Sequence, residues 1–217
     1  MTELQKDYFL GEDDMLYQHP DHFHFNTDTK LLAGFMKIRK NESVLDIGTN
    51  NGALLYAADK QDVKELVGVE IVEEACLVAK KNVETFFKHP ARIVNSPVQT
   101  FAWEPFDVVI SNPPYFREKE TNPNIQMNLR QYGRVEKNLK LDELVFHAAR
   151  LLKSNGRFYL VHRPNRLNDI MMECFKHNFR IKTIQVAYDS NNNAKTLLIE
   201  AIKEGTCDSR ILSPIYI

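Results

Sequence analysis

The residues most suited to chemistry are Asn112, Pro113, Pro114 and Tyr115, which directly follow the apolar stretch 106–111. Each proline fixes its own φ angle and lacks an N–H donor, so this turn should be stiff, with carbonyl groups left to accept hydrogen bonds. The Asn112 side chain adds a second acceptor, and Tyr115 adds a ring that can stack on a base. The alternative is a proline-stiffened strand exit with a surface aromatic side chain.

Such a turn suits an electron-poor amino group, whose lone pair is delocalised into a heteroaromatic ring or an amide. The Asn112 side-chain oxygen and the Pro113 carbonyl can bind the two N–H groups of that amine and favour a pyramidal nitrogen. The nitrogen becomes acidic only as its new bond forms, so no strong general base is required. Positioning and electrostatics would then supply most of the rate.

A second candidate site lies in VLDIGTNNG, residues 44–52. A buried strand leads into Asp46 and a turn with Gly48 and Gly52, where glycine lets the backbone bend and lets a ligand approach. About 20 residues further on, the next strand ends at Glu70, whose carboxylate can accept hydrogen bonds from two ribose hydroxyls. Because Asp46 repels phosphate but suits an amine or a sulfonium, the loop favours S-adenosylmethionine over a nicotinamide dinucleotide. The alternative is that the glycines only form a strand-to-helix turn.

The elements around these sites alternate between strand-like and helix-like stretches from Ser43 onward. Alternation with apolar strands predicts a Rossmann-like α/β fold, in which a mostly parallel sheet of about seven strands has helices on both faces. The last two strands, joined by SNNN, should form an antiparallel hairpin. The predicted strands are 43–47, 65–71, 91–95, 106–111, 157–162, 180–189 and 194–203, and the predicted helices are 53–60, 73–87, 141–153 and 169–179.

The bulk composition indicates one soluble domain spanning residues 1–217, with 1–42 as an N-terminal cap, since 43% of the residues are hydrophobic. Three widely spaced cysteines argue against a disulfide framework and against a thiolate zinc site. The N-terminus lacks the apolar core of a secretory signal, and no apolar run approaches membrane-spanning length, so we expect a cytoplasmic location. His19, His22 and His24 lack an evident further ligand, and we expect no metal.

Contacts with nucleic acid would have to come from a local patch, because the formal net charge is −1. The stretch between Asn112 and Lys140 carries six basic and three acidic residues and is long for an ordinary connection, so we expect a substrate loop at 117–140. Ordinary solvated charge is the alternative. The candidate RNA contacts are Phe116, Arg117, Arg130, Arg134, Arg163 and Arg166.

The motifs DIGTNNG, GVEI and NPPYF, in this order and spacing, resemble class I S-adenosylmethionine-dependent methyltransferases that methylate amino groups. The NPPY set is shared by adenine-N6, guanine-N2 and glutamine-N5 methyltransferases, so it indicates the acceptor chemistry and leaves the substrate open. Segments 22–35 and 133–167 and the ending ILSPIYI make the chain similar to the bacterial tRNA(Val) adenine-N6 methyltransferase family, which methylates the adenine next to the anticodon. This resemblance covers nearly the whole chain.

The resemblance implies S-adenosylmethionine as cofactor, RNA (most simply tRNA) as partner, and a target base held by the residues from Asn112 to Tyr115. Two departures from the family pattern are Asn50, where the loop usually has glycine, and the sequence Asn95-Ser96-Pro97, which lacks an acidic residue often found there. The residues implied to bind the cofactor are Phe25, Asn26, Asp28, Asp46, Gly48, Thr49, Asn50, Gly52, Glu70, Ile71 and Ser96.

Other functions remain open at this point. The same fold could methylate guanine N2 in rRNA or a protein glutamine amide, although residues 1–42 are too few for the helical recognition domain that glutamine enzymes usually carry. The altered glycine loop also leaves room for a non-catalytic RNA-binding module. A nicotinamide oxidoreductase is disfavoured by Asp46.

Overall fold

The computed structural model describes residues 3–115 and 139–217, and the bounds below refer to these parts of the chain. The strands are β1 (Gln5–Tyr8), β2 (Met15–Gln18), β3 (Ser43–Ile47), β4 (Glu65–Glu70), β5 (Ala91–Asn95), β6 (Phe106–Ser111), β7 (Leu152–His162), β8 (Phe179–Tyr188), β9 (Ala194–Lys203), β10 (Arg210–Ile211) and β11 (Ile215–Tyr216). The α-helices are α1 (Thr27–Phe35), α2 (Ala53–Asp59), α3 (Glu73–Phe86), α4 (Leu141–Leu151) and α5 (Leu167–Lys176), and a 3₁₀ turn covers Pro164–Arg166.

The large sheet has the strand order β10-β8-β9-β7-β6-β3-β4-β5, and β11 also pairs with β8. Strands β3 to β7 are paired in parallel, whereas β9 runs antiparallel to both β7 and β8. The predicted parallel sheet with a terminal hairpin is therefore confirmed. The sheet has nine strands where we predicted about seven, because the two-residue strands β10 and β11 pair along the edge of β8.

Helices cover both faces of the sheet, as the sequence predicts. Neighbouring strand residues point to opposite faces. Val44 therefore packs in one core cluster with Leu32 of α1, while Leu45 packs in another with Leu144 of α4 and Ile170 of α5. All five side chains are completely buried. The sheet is thus a rigid central layer on which the loops at its edge are mounted.

The direction of chain progression reverses at β3. Strands β4 and β5 follow on one side of β3, and β6 and β7 lie on the other. Because these strands are parallel, their carboxyl ends meet at one edge, next to the place where the order reverses, which is where ligands bind in such sheets. The segments that begin at Gly48, Ile71, Ser96 and Asn112 all start at this edge.

The N-terminal segment forms a hairpin, β1–β2, followed by α1, and neither element was predicted. Phe9 and Leu16 of the hairpin region pack against Phe25 in a small separate cluster. The completely buried Asn82 of α3 accepts from the Tyr17 N–H at 2.8 Å and donates to the Tyr17 carbonyl at 3.0 Å. The hairpin is thereby docked against α3.

Across residues 3–115 and 139–217, no helix combines the length and apolar character that crossing a bilayer requires.

Candidate active site

A cavity opens at the carboxyl edge of the sheet, between the loop after β3 and the turn after β6. The N-terminal segment forms a further part of its wall. Most of the predicted site residues line this cavity: Phe25, Asp46, Gly48, Thr49, Asn50, Glu70, Ile71, Ser96, Asn112, Pro113 and Pro114. The two motifs singled out in the sequence therefore face one space.

Asp46 is a buried carboxylate in the wall of the cavity. Its side chain is 1% exposed, and neither carboxylate oxygen has a hydrogen-bond partner among the described residues. Burial raises the pKa of Asp46 to about 7, the neighbouring Thr49 hydroxyl acts against the rise, and the nearby Glu70 carboxylate adds to it. An unpaired buried charge is costly, and a cation in the cavity would offset that cost. The ammonium and sulfonium of S-adenosylmethionine fit this requirement.

Glu70, at the end of β4, is held by the backbone. Its Oε2 accepts from the Asn50 N–H at 2.9 Å, and its Oε1 accepts from the N–H groups of Ile71 at 2.9 Å and Val72 at 3.0 Å. Burial raises the pKa of Glu70, and these three N–H groups act against that rise. An ionised carboxylate offers roughly four acceptor positions. The carboxylate therefore has one acceptor position left for a ribose hydroxyl. Accepting hydrogen bonds from two hydroxyls would require one of the N–H groups to be displaced.

Asn50 adopts the geometry that the usual glycine of this loop would supply. Its φ is +50°, in the left-handed region that asparagine tolerates better than most residues, and Gly48 and Gly52 are also at positive φ. Its side chain adds a contact that glycine cannot make, because Nδ2 donates to the Phe23 carbonyl at 2.6 Å. Asn50 therefore ties the loop after β3 to the N-terminal segment.

Asn112 lies where β6 ends, and both ends of its amide are engaged. Its Nδ2 donates to Thr29 Oγ1 at 3.0 Å, and its Oδ1 accepts from the Tyr115 hydroxyl. The Tyr115 ring is 6% exposed, with the Arg163 guanidinium 4.6 Å from its centroid and the His162 ring 5.2 Å away. In this conformation Tyr115 covers the acceptor oxygen instead of presenting an open stacking face, and it does not line the cavity.

Three residues expected at the cofactor support the cavity from outside its lining. Asn26 is the N-cap of α1, where its side chain accepts from the Thr29 N–H at 3.1 Å. Asp28 accepts from the Thr196 hydroxyl of β9 and forms an ion pair with Arg163 at 3.1 Å. Gly52 is the N-cap of α2. The side chains of Asn26 and Asp28 are used in internal contacts, which explains why neither points into the cavity.

The expected basic surface is only partly described. Arg166 is 6% exposed and donates to Asp169 at 2.7 Å and to the Tyr115 carbonyl at 3.3 Å, so it supports the turn and does not extend an exposed phosphate surface. Arg163 is partly exposed but lies over Tyr115 and pairs with Asp28. The other candidates, Phe116, Arg117, Arg130 and Arg134, and nearly all of the expected loop 117–140, lie outside the described residues.

Several lining residues were missed. Among them, Gln99 lines the cavity just after the end of β5, near the predicted residue Ser96, whose hydroxyl donates locally to the Pro97 carbonyl at 3.1 Å. Thr29 lines the cavity from α1. No local spacing identifies these residues, although Asn26 three positions before Thr29 is a helix-capping signal. The other lining residues outside the predicted set are His22, Phe23, Ile47, Asn51, Ala53, Leu54, Val69, Val72, Ala75, Pro97, Val98, Ser111 and Leu139.

Comparison with known proteins gives a consistent result. The family model described as "Methyltransferase small domain" matches residues 21–188. A protein named tRNA1(Val) (adenine(37)-N6)-methyltransferase from Flavobacteriaceae bacterium (strain 3519-10) is 28% identical over 188 residues, which cover 84% of this chain and 78% of that protein. A protein of the same name from Dyadobacter fermentans is 33% identical over 138 residues, which cover 62% of this chain and 56% of that protein.

Among solved structures, the T. thermophilus 16S rRNA N2 G1207 methyltransferase in complex with AdoMet and guanosine superposes with a TM-score of 0.63 at 20% identity. The match covers 93% of this chain and 50% of that chain. The fold and the cavity define an S-adenosylmethionine-dependent methyltransferase, so the class predicted from the sequence is confirmed. Because the family model matches most of its residues, the chain belongs to the methyltransferase small domain family.

Proposed function

We propose that this chain transfers a methyl group to the exocyclic N6 amine of adenine in RNA, with the tRNA adenine beside the anticodon as its substrate. The relatives described above carry names that specify this reaction on tRNA1(Val) adenine 37. The acceptor chemistry of the Asn112 turn supports an amino target. The partner is therefore RNA, and the methyl donor is S-adenosylmethionine.

The observation that carries the proposal is that Asn112 and Asp46 line the same cavity. Asp46 supplies a buried negative charge for the cationic end of the donor. Asn112 supplies the amide that can bind an incoming amine. Because one of these groups binds the cationic donor and the other binds the amine, the cavity can bring an electrophilic methyl group and a weak amine nucleophile into line.

The residues of this chain have separate roles in the proposed reaction. S-adenosylmethionine supplies a methyl group on a sulfonium, which makes that carbon electrophilic. Asp46 binds the donor's cationic end, and Glu70 accepts a hydrogen bond from a ribose hydroxyl. The Asn112 Oδ1 and the Pro113 carbonyl accept the two N–H groups of the target amine. As the new C–N bond forms, the bond between the methyl carbon and sulfur breaks and its electron pair stays on sulfur, which leaves as a neutral thioether. The nitrogen thereby becomes acidic, and one of its N–H protons leaves to solvent.

Two arrangements of Tyr115 are compatible with entry of the target base. Its hydroxyl now uses one acceptor position of the Asn112 Oδ1. An amide oxygen has two lone pairs, so the target amine can take the second while Tyr115 stays, or it can take both after Tyr115 turns to stack on the base. In either case the acceptor oxygen is held in place before the base arrives.

The test is methyl transfer from radiolabelled S-adenosylmethionine into total RNA from a strain lacking the protein, followed by nucleoside analysis. We expect the label in N6-methyladenosine of the tRNA fraction. Label only in guanosine would assign the chain to the guanine-N2 reaction. Label that enters protein in a parallel reaction with total protein, but does not enter RNA, would assign it to glutamine. Calorimetry with S-adenosylmethionine separates these outcomes from a non-catalytic RNA-binding module, which would show no binding.

We further propose that residues 1–217 work as a single methyltransferase domain in which residues 1–42 form a cap. The docking of β2 on α3 through Asn82 and the Asn50 contact with Phe23 support this assignment. Limited proteolysis tests it. A cap that is cleaved off without loss of S-adenosylmethionine binding would count against it.

A further inference from the structure

We propose that Thr29 is a positioning residue that fixes the orientation of the Asn112 side-chain amide for the incoming amine. The inference rests on the proposed function, because it assigns a role to a residue beside the acceptor turn. Thr29 is 5% exposed and lines the cavity near the start of α1. It is 83 residues away from Asn112 in the sequence.

Because of its other hydrogen bonds, the Thr29 hydroxyl acts toward Asn112 as an acceptor. The hydroxyl donates its one proton to Asn26 Oδ1 at 3.3 Å. It accepts from the Asn26 backbone N–H at 3.2 Å and from Asn112 Nδ2 at 3.0 Å. A hydroxyl has one proton and two lone pairs, so its hydrogen-bonding capacity is fully used.

This arrangement selects one of the two possible orientations of the Asn112 amide. The amide atom that faces Thr29 must be a donor, because the only hydroxyl proton of Thr29 is already directed at Asn26. The nitrogen of Asn112 therefore faces Thr29, and Oδ1 faces the side where the Tyr115 hydroxyl donates. With the amide reversed, Asn112 would direct N–H groups at an incoming amine, and two donors would oppose each other.

Neighbouring contacts hold the first turn of α1 in place, so that Thr29 is itself fixed. Asn26 and Thr29 form a reciprocal capping box at the N-terminus of α1. Asp28, the residue before Thr29, accepts from Thr196 of β9 and pairs with Arg163, whose guanidinium lies over the Tyr115 ring. Two consecutive residues of α1 thus support both sides of the Asn112–Tyr115 turn.

The experiment compares Thr29→Val, which keeps the shape but removes the hydroxyl, with Thr29→Ser, which keeps the hydroxyl. Thr27→Val is the matched control, because Thr27 is an exposed residue of the same helical turn. For Thr29→Val we expect kcat for RNA methylation to fall about tenfold or more, with the S-adenosylmethionine Kd changed by less than about threefold. Thr29→Ser and Thr27→Val should stay within about threefold of wild type in both quantities.

Two results would overturn the role of Thr29 in an active enzyme. One is an unchanged kcat for Thr29→Val, and the other is an equal loss of kcat in Thr29→Ser and Thr29→Val. If Thr29→Val does not fold, Thr29→Ala carries the same comparison.

A second readout does not depend on RNA, so it separates this inference from the proposed function. The ¹⁵N NMR signal of the Asn112 side-chain amide should show slow proton exchange in wild type and in Thr27→Val, and faster exchange once the Thr29 hydroxyl is lost. Exchange as fast as that of the exposed Asn191 in wild type would contradict the inference. If wild type transfers no methyl group to RNA, the proposed function fails, and the amide signal alone decides whether Thr29 orients Asn112.

Discussion

At the scale of single residues, Asp46 is a buried carboxylate whose negative charge a bound cation would stabilise. Its carboxylate is buried without a hydrogen-bond partner among the described residues, and its pKa is raised to about 7. The sequence identified Asp46 through its place near the end of a buried strand. It could not identify the partners of Asn112, because Thr29 is distant in sequence and the Tyr115 contact depends on side-chain conformation.

We predict that Asp46→Asn makes the substrate-free protein less sensitive to pH. The folded pKa of Asp46 is raised above its ordinary value of 3.8, so its contribution to stability is fully present below that value and is lost as pH rises through about 7. The variant should therefore gain stability relative to wild type between pH 5.5 and 8 (two pH values chosen for measurement), by roughly 2 kcal/mol, because only about 1.5 pH units of this window lie below the folded pKa. Urea unfolding at both pH values measures the difference. An equal change in the free energy of unfolding with pH in the two proteins would contradict the raised pKa of Asp46.

Donor binding should respond to pH in the opposite sense. A cation binds the ionised form of Asp46, so the affinity of wild type for S-adenosylmethionine should fall as pH decreases below about 7. Asp46→Asn should bind the donor weakly at every pH. Calorimetry across this range checks the prediction, and a wild-type affinity independent of pH would argue against a role for Asp46 in binding the cation.

Asn50→Gly tests the departure from the usual glycine loop. The substitution restores the common residue and keeps positive φ accessible, but it removes the hydrogen bond from Asn50 Nδ2 to the Phe23 carbonyl. We expect S-adenosylmethionine affinity to fall about three- to tenfold, which corresponds to the typical net value of one hydrogen bond. If the glycine variant binds the donor as tightly as wild type, Asn50 is only a tolerated substitute.

At the scale of elements, the sheet edge was predictable and the N-terminal elements were not. The order and type of β3 to β9 follow from apolar runs and helical spacing, because each element carries its own periodic pattern. The hairpin β1–β2 is short, with four residues in each strand, and its position depends on nonlocal contacts such as that between Tyr17 and Asn82. Helix α1 was not predicted, although the capping residue Asn26 precedes it.

Asn82→Ala tests whether the docked hairpin supports the donor cavity. The completely buried amide binds the N–H and carbonyl of Tyr17 and also donates to the Asn51 carbonyl at 2.8 Å in the loop after β3. Its loss removes the partner of the Tyr17 N–H and of the Asn51 carbonyl, while the Tyr17 carbonyl keeps the Asn51 Nδ2 donor at 3.2 Å, so we expect a loss of roughly 2–4 kcal/mol in the free energy of unfolding and weaker donor binding. Asn191→Ala, at an exposed turn, is the control for urea unfolding. Equal stability of the two variants would show that Asn82 is dispensable.

At the scale of the whole molecule, one edge of the sheet brings together the two segments to which we assign donor binding and acceptor binding. Strands β3 and β6 are adjacent and parallel, so the loop with Gly48 and the turn with Asn112 meet although they are far apart in sequence. The parallel sheet makes this proximity predictable. The detailed contacts of Asn112 arise from α1, an element that local sequence patterns did not reveal.

The most direct test of the account is to compare Asn112→Ala with wild type in two assays on the same preparation. Calorimetry measures S-adenosylmethionine binding, and radiolabelled transfer measures methylation of tRNA. We predict that methyl transfer falls by at least about a hundredfold while the donor Kd stays within about threefold of wild type, because the proposed function assigns Asn112 to the target amine and not to the donor. Methyl transfer close to the wild-type rate, or a loss of donor affinity as large as the loss of rate, would contradict the central claim.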